Sequence, residues 1–398
     1  MNNRTSDLLN SLSESATIAM AKMARELKAS GVDVISLSLG EPDFDTPETL
    51  KQAGIDSTEA NETHYTPVAG TVRVREAISK KFKRDNGLDY APDQIVVSNG
   101  AKQSLANVVL SLVNPGDEVI LPAPFWVSYA EIVKLAKGVP VVLPTSIEDD
   151  YKIKPEALEA AINEKTRMVI YSSPCNPSGS VYTLDETQAI AEVLLQHDNV
   201  ITISDEIYEL INFTPKHASL AGIPGMMDRV VTVNGVSKGF AMTGWRLGYI
   251  GAPKWIATAC NKIQGQITSA PCSIAQAAAA AAVEADPSIA DHMLEAFLRR
   301  RDQMLGDMST IPGIKLNKPM GAFYLFPDVS GLFGKSFNGK TINNADDVAM
   351  FLIEEAYVAT VSGTAFGTPE CIRISYAAAD EVLAEAARRI KEAVSKLS

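Results

Sequence analysis

The stretch Val230-Val-Thr-Val-Asn-Gly-Val-Ser-Lys-Gly-Phe-Ala-Met-Thr-Gly-Trp-Arg-Leu-Gly-Tyr-Ile-Gly251 decides the reading of this chain. Val230 to Val233 is a short apolar run of the kind that forms a buried strand. The polar turn Asn234-Gly235-Val236-Ser237 leads to Lys238, and eight residues later Arg246 opens a second apolar run. A lysine at the mouth of a buried strand is unusual, because desolvation penalises its ammonium. The same penalty lowers its pKa and frees the amine as a nucleophile. A surface lysine on a loop is the ordinary alternative, so the rest of the chain must decide.

On both sides of this stretch, apolar runs alternate with helical patterns. The strand candidates are 94–98, 118–121, 139–143, 168–172, 200–204, 230–233 and 247–250. Helical spacing occupies 72–84, 103–113, 127–135, 155–162 and 184–197. Runs apolar on both faces, separated by helices, predict an α/β fold whose mostly parallel seven-stranded sheet is covered on both sides. Earlier in the chain, 12–31 predicts a helix and 34–39 a strand, followed by the stiff connector Gly40-Glu-Pro-Asp-Phe-Asp-Thr-Pro47. After Pro287 come a charged helix (292–308), a strand in Pro319-Met-Gly-Ala-Phe-Tyr-Leu-Phe-Pro327, a helix (345–355), a strand (372–377) and a closing helix (381–396). We expect a large domain over 47–286 and a smaller α+β domain built from 1–46 and 287–398.

In a sheet of this type, ligands bind beyond the carboxyl ends of the strands. The first such end continues as Asn99-Gly100-Ala101-Lys102, then a helix, which offers backbone N–H groups to a phosphate or serves as a plain turn. Trp126 follows another end and can stack on a flat ring or fill a core. Asn176 lies between two prolines that hold its backbone. Asp205 ends a buried strand, where an acid is costly unless paired. It can meet a cationic ligand nitrogen or cap the next turn, and Tyr208 follows three residues on. Asn176 to Asp205 is 29 residues, Asp205 to Lys238 is 33, and Lys238 to Arg246 is 8. A lysine for a Schiff base, an acid for a pyridinium nitrogen and an arginine for a phosphate are the parts that pyridoxal phosphate requires.

The chain resembles the class I aminotransferases, the fold-type I family dependent on pyridoxal 5′-phosphate. Ser237-Lys-Gly-Phe-Ala-Met-Thr-Gly-Trp-Arg-Leu-Gly-Tyr249 carries the likeness, with Ser204-Asp-Glu-Ile-Tyr208, Asn176-Pro-Ser-Gly179, Gly40-Glu-Pro-Asp-Phe44 and Ile372-Arg-Ile-Ser-Tyr376. Within the family it is most similar to the bacterial aspartate aminotransferases of a branch in which some members accept prephenate. The resemblance implies that Lys238 carries the cofactor and moves the proton, and that Asp205 keeps its ring nitrogen protonated. Tyr208 and Asn176 would bond the ring oxygen, and Trp126 would stack on the ring. Gly100, Ala101, Ser237 and Arg246 would hold the phosphate, and Tyr65 would reach the phosphate of a partner subunit in a homodimer with shared sites. Arg373 would bind the substrate α-carboxylate, with Gly40 alongside. Lys102, Ser15 and Thr17 match the positions that meet a distal carboxylate in this branch. Gly235 departs from the family, many members of which carry a hydroxyl residue there.

The implied activity moves the amino group of aspartate or glutamate to a 2-oxo acid such as 2-oxoglutarate. Alanine, aromatic or prephenate transamination, a related lyase, or a cofactor-binding regulator are the alternatives. A nicotinamide dehydrogenase is disfavoured because G-x-G-x-x-G is missing. The net charge of −12, with no long basic run, argues against a nucleic-acid partner. Four separated cysteines and four unclustered histidines give no metal motif. The first residues lack a signal-peptide core and no apolar run reaches spanning length, which predicts a cytoplasmic protein without membrane contact.

Overall fold

The computed structural model describes residues 4–398. Its centre is a seven-stranded sheet: β1 Ile95–Ser98, β2 Glu118–Pro122, β3 Val139–Leu143, β4 Thr166–Ser172, β5 Ile201–Asp205, β6 Val230–Gly235 and β7 Gly248–Gly251. The order across the sheet is β1-β7-β6-β5-β4-β2-β3. Only β7 runs antiparallel to its neighbours. All seven expected strands are present, with ends within two residues of the expected ones. β1, β5, β6 and β7 are buried throughout, as strands covered on both faces must be. One apolar core lies on each face, the larger centred on Val97, Val169 and Tyr249 and the other on Val96, Ile170 and Ile203.

A third core joins Leu37, Met293, Phe297, Leu325, Ile374 and Ile390, and so ties the N-terminal segment to the C-terminal third. Here a short antiparallel sheet orders Val361–Ser362, Ile372–Ser375 and Tyr324–Leu325. The strand expected over 34–39 is reduced to Ile35–Ser36, paired with Val358–Ala359. The ladder stops because the next residues turn inward, and the Ser38 carbonyl accepts from Arg373 at 2.7 Å. The helix expected over 72–84 ends at Lys81 and passes into a wider turn over Phe82–Asn86. Asp7–Asn10, Glu48–Glu59 and Lys254–Ile267 are helices that the sequence pattern does not predict.

The edge of the site is set by close backbone approach. Gly248 in β7 lies opposite both Ser98 of β1 and Gly235 of β6. A Cβ on Gly248 would come within 2.2 Å of the Ala101 nitrogen, and one on Gly235 within 2.9 Å of Gly248 Cα. Two adjacent glycines thus let the turn that starts the helix Ala101–Leu112 rest on the sheet. The missing side chain at Gly235 has this steric cause: no hydroxyl residue fits there. Replacing Gly248 with alanine is expected to cost about 2–3 kcal/mol, because neither contacting backbone can yield. Urea unfolding should show a lower midpoint at unchanged slope; an unchanged midpoint would contradict this packing.

Candidate active site

A cavity of about 250 Å³ opens at the carboxyl ends of the strands. Gly40, Ala101, Lys102, Trp126, Asn176, Asp205, Tyr208, Ser237, Lys238, Arg246 and Arg373 all line it, as do Ser15 and Thr17 from the N-terminal segment. Two expected residues are elsewhere. Gly100 lies behind the wall, where a Cβ would meet Arg246 Nη2 at 2.5 Å. Tyr65 is fully exposed and stands outside the cavity of its own chain.

Lys238 follows the turn after β6. Its amine donates to the Gly40 carbonyl, across the connector between the first core segment and the large sheet. Burial pushes it down to about 8, with Arg373 and Arg246 acting in the same direction and Glu41 and Asp205 opposing. Asp205 ends β5 and is 4% exposed. Burial pushes its carboxyl up to about 6, although the Tyr129 hydroxyl donates to Oδ2 at 2.7 Å and the Ile207 backbone N–H to Oδ1 at 3.3 Å. A carboxylate at that cost suits a cationic partner.

Arg373 is 2% exposed, with its guanidinium between the rings of Tyr324 (4.6 Å) and Phe366 (4.9 Å). It donates to Asn176 Oδ1 at 2.9 Å, the Ser38 carbonyl at 2.7 Å and Thr17 Oγ1 at 3.4 Å. Among the described residues its Nε has no partner and no carboxylate forms an ion pair with it. A buried guanidinium lacking a counter-ion is an anion site awaiting its anion.

Arg246 adopts φ +55° and leaves its guanidinium exposed, donating to the Thr243 carbonyl at 3.0 Å. It faces the start of the helix Ala101–Leu112, which has no side-chain cap among the described residues. This helix start, the Arg246 guanidinium and Ser237 line one cavity, a combination that suits a phosphate. Lys102 lies with Nζ 4.9 Å from the centre of the Trp126 ring, and burial together with Arg246 lowers its pKa. Four cations and one acid thus face this cavity, against a net charge of −12 for the chain.

Three functional neighbours were not found from sequence. Tyr129 sits one helical turn beyond Trp126 and supports Asp205. Tyr324 shares a 2.8 Å hydroxyl contact with Tyr208, and its own hydroxyl would lie 2.0 Å from a Cβ on Gly40. Glu41 accepts from Thr243, which anchors the connector over the site. Tyr129 carried a signal, its i+3 spacing from Trp126; the other two are long-range contacts without a local pattern.

A family model described as aminotransferase class I and II matches residues 32–390, and the chain belongs to that family. It is 50% identical over 391 residues to a Petunia hybrida protein named bifunctional aspartate aminotransferase and glutamate/aspartate-prephenate aminotransferase, covering 97% of this chain and 82% of that one. The solved aspartate aminotransferase of Rhizobium meliloti is 41% identical, with a TM-score of 0.96 over 100% of both chains. That of Thermus thermophilus with maleate is 38% identical, with a TM-score of 0.92 over 98% of this chain and 100% of that one. The fold is therefore fold type I, and the family's cofactor is pyridoxal 5′-phosphate. The residues present fit that group: a half-buried amine, a costly carboxylate, a flat indole and an anion cradle surround one cavity.

The depressed amine gives a pH test. Between about 8 and the unfolded lysine's value near 10.5, the unfolded chain holds a proton that folded Lys238 has released. The unfolded state binds more protons there, so stability of the cofactor-free protein rises with pH across that window. Lys238→Met should flatten this rise in denaturation curves from pH 7.5 to 10.5. A rise of the same size in the variant would place the titration elsewhere.

Proposed function

We propose that this chain transfers the α-amino group of L-aspartate or L-glutamate to a 2-oxo acid such as 2-oxoglutarate, in two half-reactions at the cavity around Lys238. The observation that carries the reading is Arg373, a buried guanidinium with no carboxylate of its own. A substrate α-carboxylate supplies the missing charge, and the guanidinium's planar fork suits it.

When bound, pyridoxal 5′-phosphate supplies a protonated ring that takes up the electron pair left by the departing α-proton. Asp205 keeps the proton on the ring nitrogen by charge attraction. Lys238, its amine pushed down to about 8 by burial, would accept the α-proton as a neutral base and return it two bonds away, across the substrate nitrogen. Tyr208 and Asn176 would hydrogen-bond the ring oxygen, and Trp126 would cover the ring face. Arg246, Ser237 and the helix start at Gly100–Ala101 hold the phosphate. Lys102, Ser15 and Thr17 take a distal carboxylate, consistent with the excess of cations at this cavity. The Petunia relative's name supports prephenate as a further acceptor.

A second copy of the chain completes the site in this reading, since Tyr65 is fully exposed and cannot serve its own cavity. The division into 47–286 and 1–46 with 287–398 belongs to the same proposal, as does a cytoplasmic location. Among the described residues, no helix is long and apolar enough to cross a membrane.

A panel of amino donors against 2-oxoglutarate, with prephenate as an extra acceptor, tests the reading. Aspartate should lead with 2-oxoglutarate, glutamate should serve as donor when oxaloacetate is the acceptor, and Lys238→Ala should lose turnover by about 10⁴-fold. Lys102→Ala should raise KM for dicarboxylic donors by about tenfold and leave alanine and phenylalanine unchanged. Preference for a monocarboxylic donor in the unsubstituted chain would overturn the dicarboxylate assignment.

A further inference from the structure

The turn after β5, Asp205 to Glu209, carries functional side chains on one side and two buried glutamates on the other. Asp205 and Tyr208 line the cavity. Glu206, fully buried, has a different surrounding: Oε1 accepts from Ser204 Oγ at 2.9 Å and Ser219 Oγ at 2.7 Å, while Oε2 meets His217 Nε2 at 2.8 Å. Glu209 accepts from Asn86 Nδ2 at 2.7 Å and pairs with Lys81, whose ammonium also donates to Asn86 Oδ1 at 2.8 Å and lies 3.9 Å from Asp85. Glu206, Glu209 and His217 lie close enough together to ligate a cation, but Lys81 already supplies the positive charge facing Glu209.

We propose that Glu206 and His217 are a positioning pair for the active site, an ion pair behind the turn that holds Asp205 and Tyr208 in place and neutralises the second carboxylate next to Asp205. This inference rests on the reading of Asp205 as the partner of the ring nitrogen. Two adjacent carboxylates at one strand end disfavour each other's charge. If Glu206 were unpaired, its anion would raise the affinity for protons of every group in the cavity. The imidazole meets this need. Burial alone pushes it down, but Glu206 and Glu209 outweigh burial, with Lys81 opposing, and hold it above its usual value. Hydroxyls alone could not supply the charge. Removing one member of a buried pair strands the other, whereas removing both charges does not.

The holoenzyme reports on this through the midpoint of the pH-dependent change in its visible cofactor band. In His217→Gln, which keeps a donor but loses the charge, the midpoint is expected to move up by about one pH unit. kcat should fall by about tenfold, and KM for the amino donor should stay within about twofold, since Arg373 stands on another strand. The double variant Glu206→Gln/His217→Gln, with no charge to balance, should return the midpoint to the original value. A merely structural role predicts the double variant to be at least as displaced as the single one, and that result overturns the proposal. So does an unmoved midpoint in His217→Gln. Should His217→Gln fail to fold, Ser219→Ala decides by removing one of the three bonds to Glu206: a smaller upward shift supports the pair and none overturns it. Absence of any cofactor band in the unsubstituted chain would instead defeat the functional reading.

Discussion

The structure depends on drawing one lysine amine partly out of water at the mouth of a mostly parallel sheet. Lys238 loses hydration there, and the fold returns a hydrogen bond to the Gly40 carbonyl, the rings of Tyr208 and Phe323 each 5.9 Å away, and the distant attraction of Glu41 and Asp205. Two nearby guanidiniums work against its charge. The outcome is an amine depressed to about 8 within a cavity rich in cations. Such a site is poorly satisfied without anions, and a phosphate and one or two carboxylates are the ligands that balance it. Chemistry and recognition therefore share one electrostatic cause.

The connector Gly40–Pro47 links this cause to the rest of the molecule. Its first carbonyl meets Lys238, Glu41 accepts from Thr243, and Thr46 donates to the Ala241 carbonyl at 2.7 Å. At its middle, Asp43 forms a two-pronged pair with Arg300 at 2.7 and 2.9 Å, and Arg300 also reaches Asp380 at 3.0 Å. The packing of the C-terminal third is thus joined through a few polar contacts to the Lys238 amine. Gly40 can hold no side chain in this arrangement, because Tyr324 occupies the space.

Much of this was legible in the sequence, for identifiable reasons. Most of the strands stand out because a strand buried on both faces is almost wholly apolar, as in Val119–Leu121 and Met168–Tyr171. The cavity residues stood out because polar groups at the ends of such strands are costly unless used. Glu48–Glu59 was missed because its buried positions, Leu50, Gly54 and Ser57, include two small residues that give no apolar stripe. Gly54 is small because Trp245 packs against it, a relation no local window contains. The departure at Gly235 has its cause in Gly248, which lies beside it on the neighbouring strand and far from it in sequence. Tyr324, Glu41 and the pair Glu206–His217 gain their roles only through contacts made in three dimensions.

The central claim is that this cavity holds pyridoxal 5′-phosphate on Lys238 and takes an amino group from a dicarboxylic amino acid. The most direct measurement is a single half-reaction: the holoenzyme mixed with L-aspartate, with no 2-oxo acid added, and the products counted. The account predicts one oxaloacetate released per cofactor-loaded chain, with the nitrogen retained on the protein and discharged only when 2-oxoglutarate is added. Free ammonia, release of oxaloacetate beyond one equivalent, or no reaction with aspartate while the cofactor is bound would contradict it.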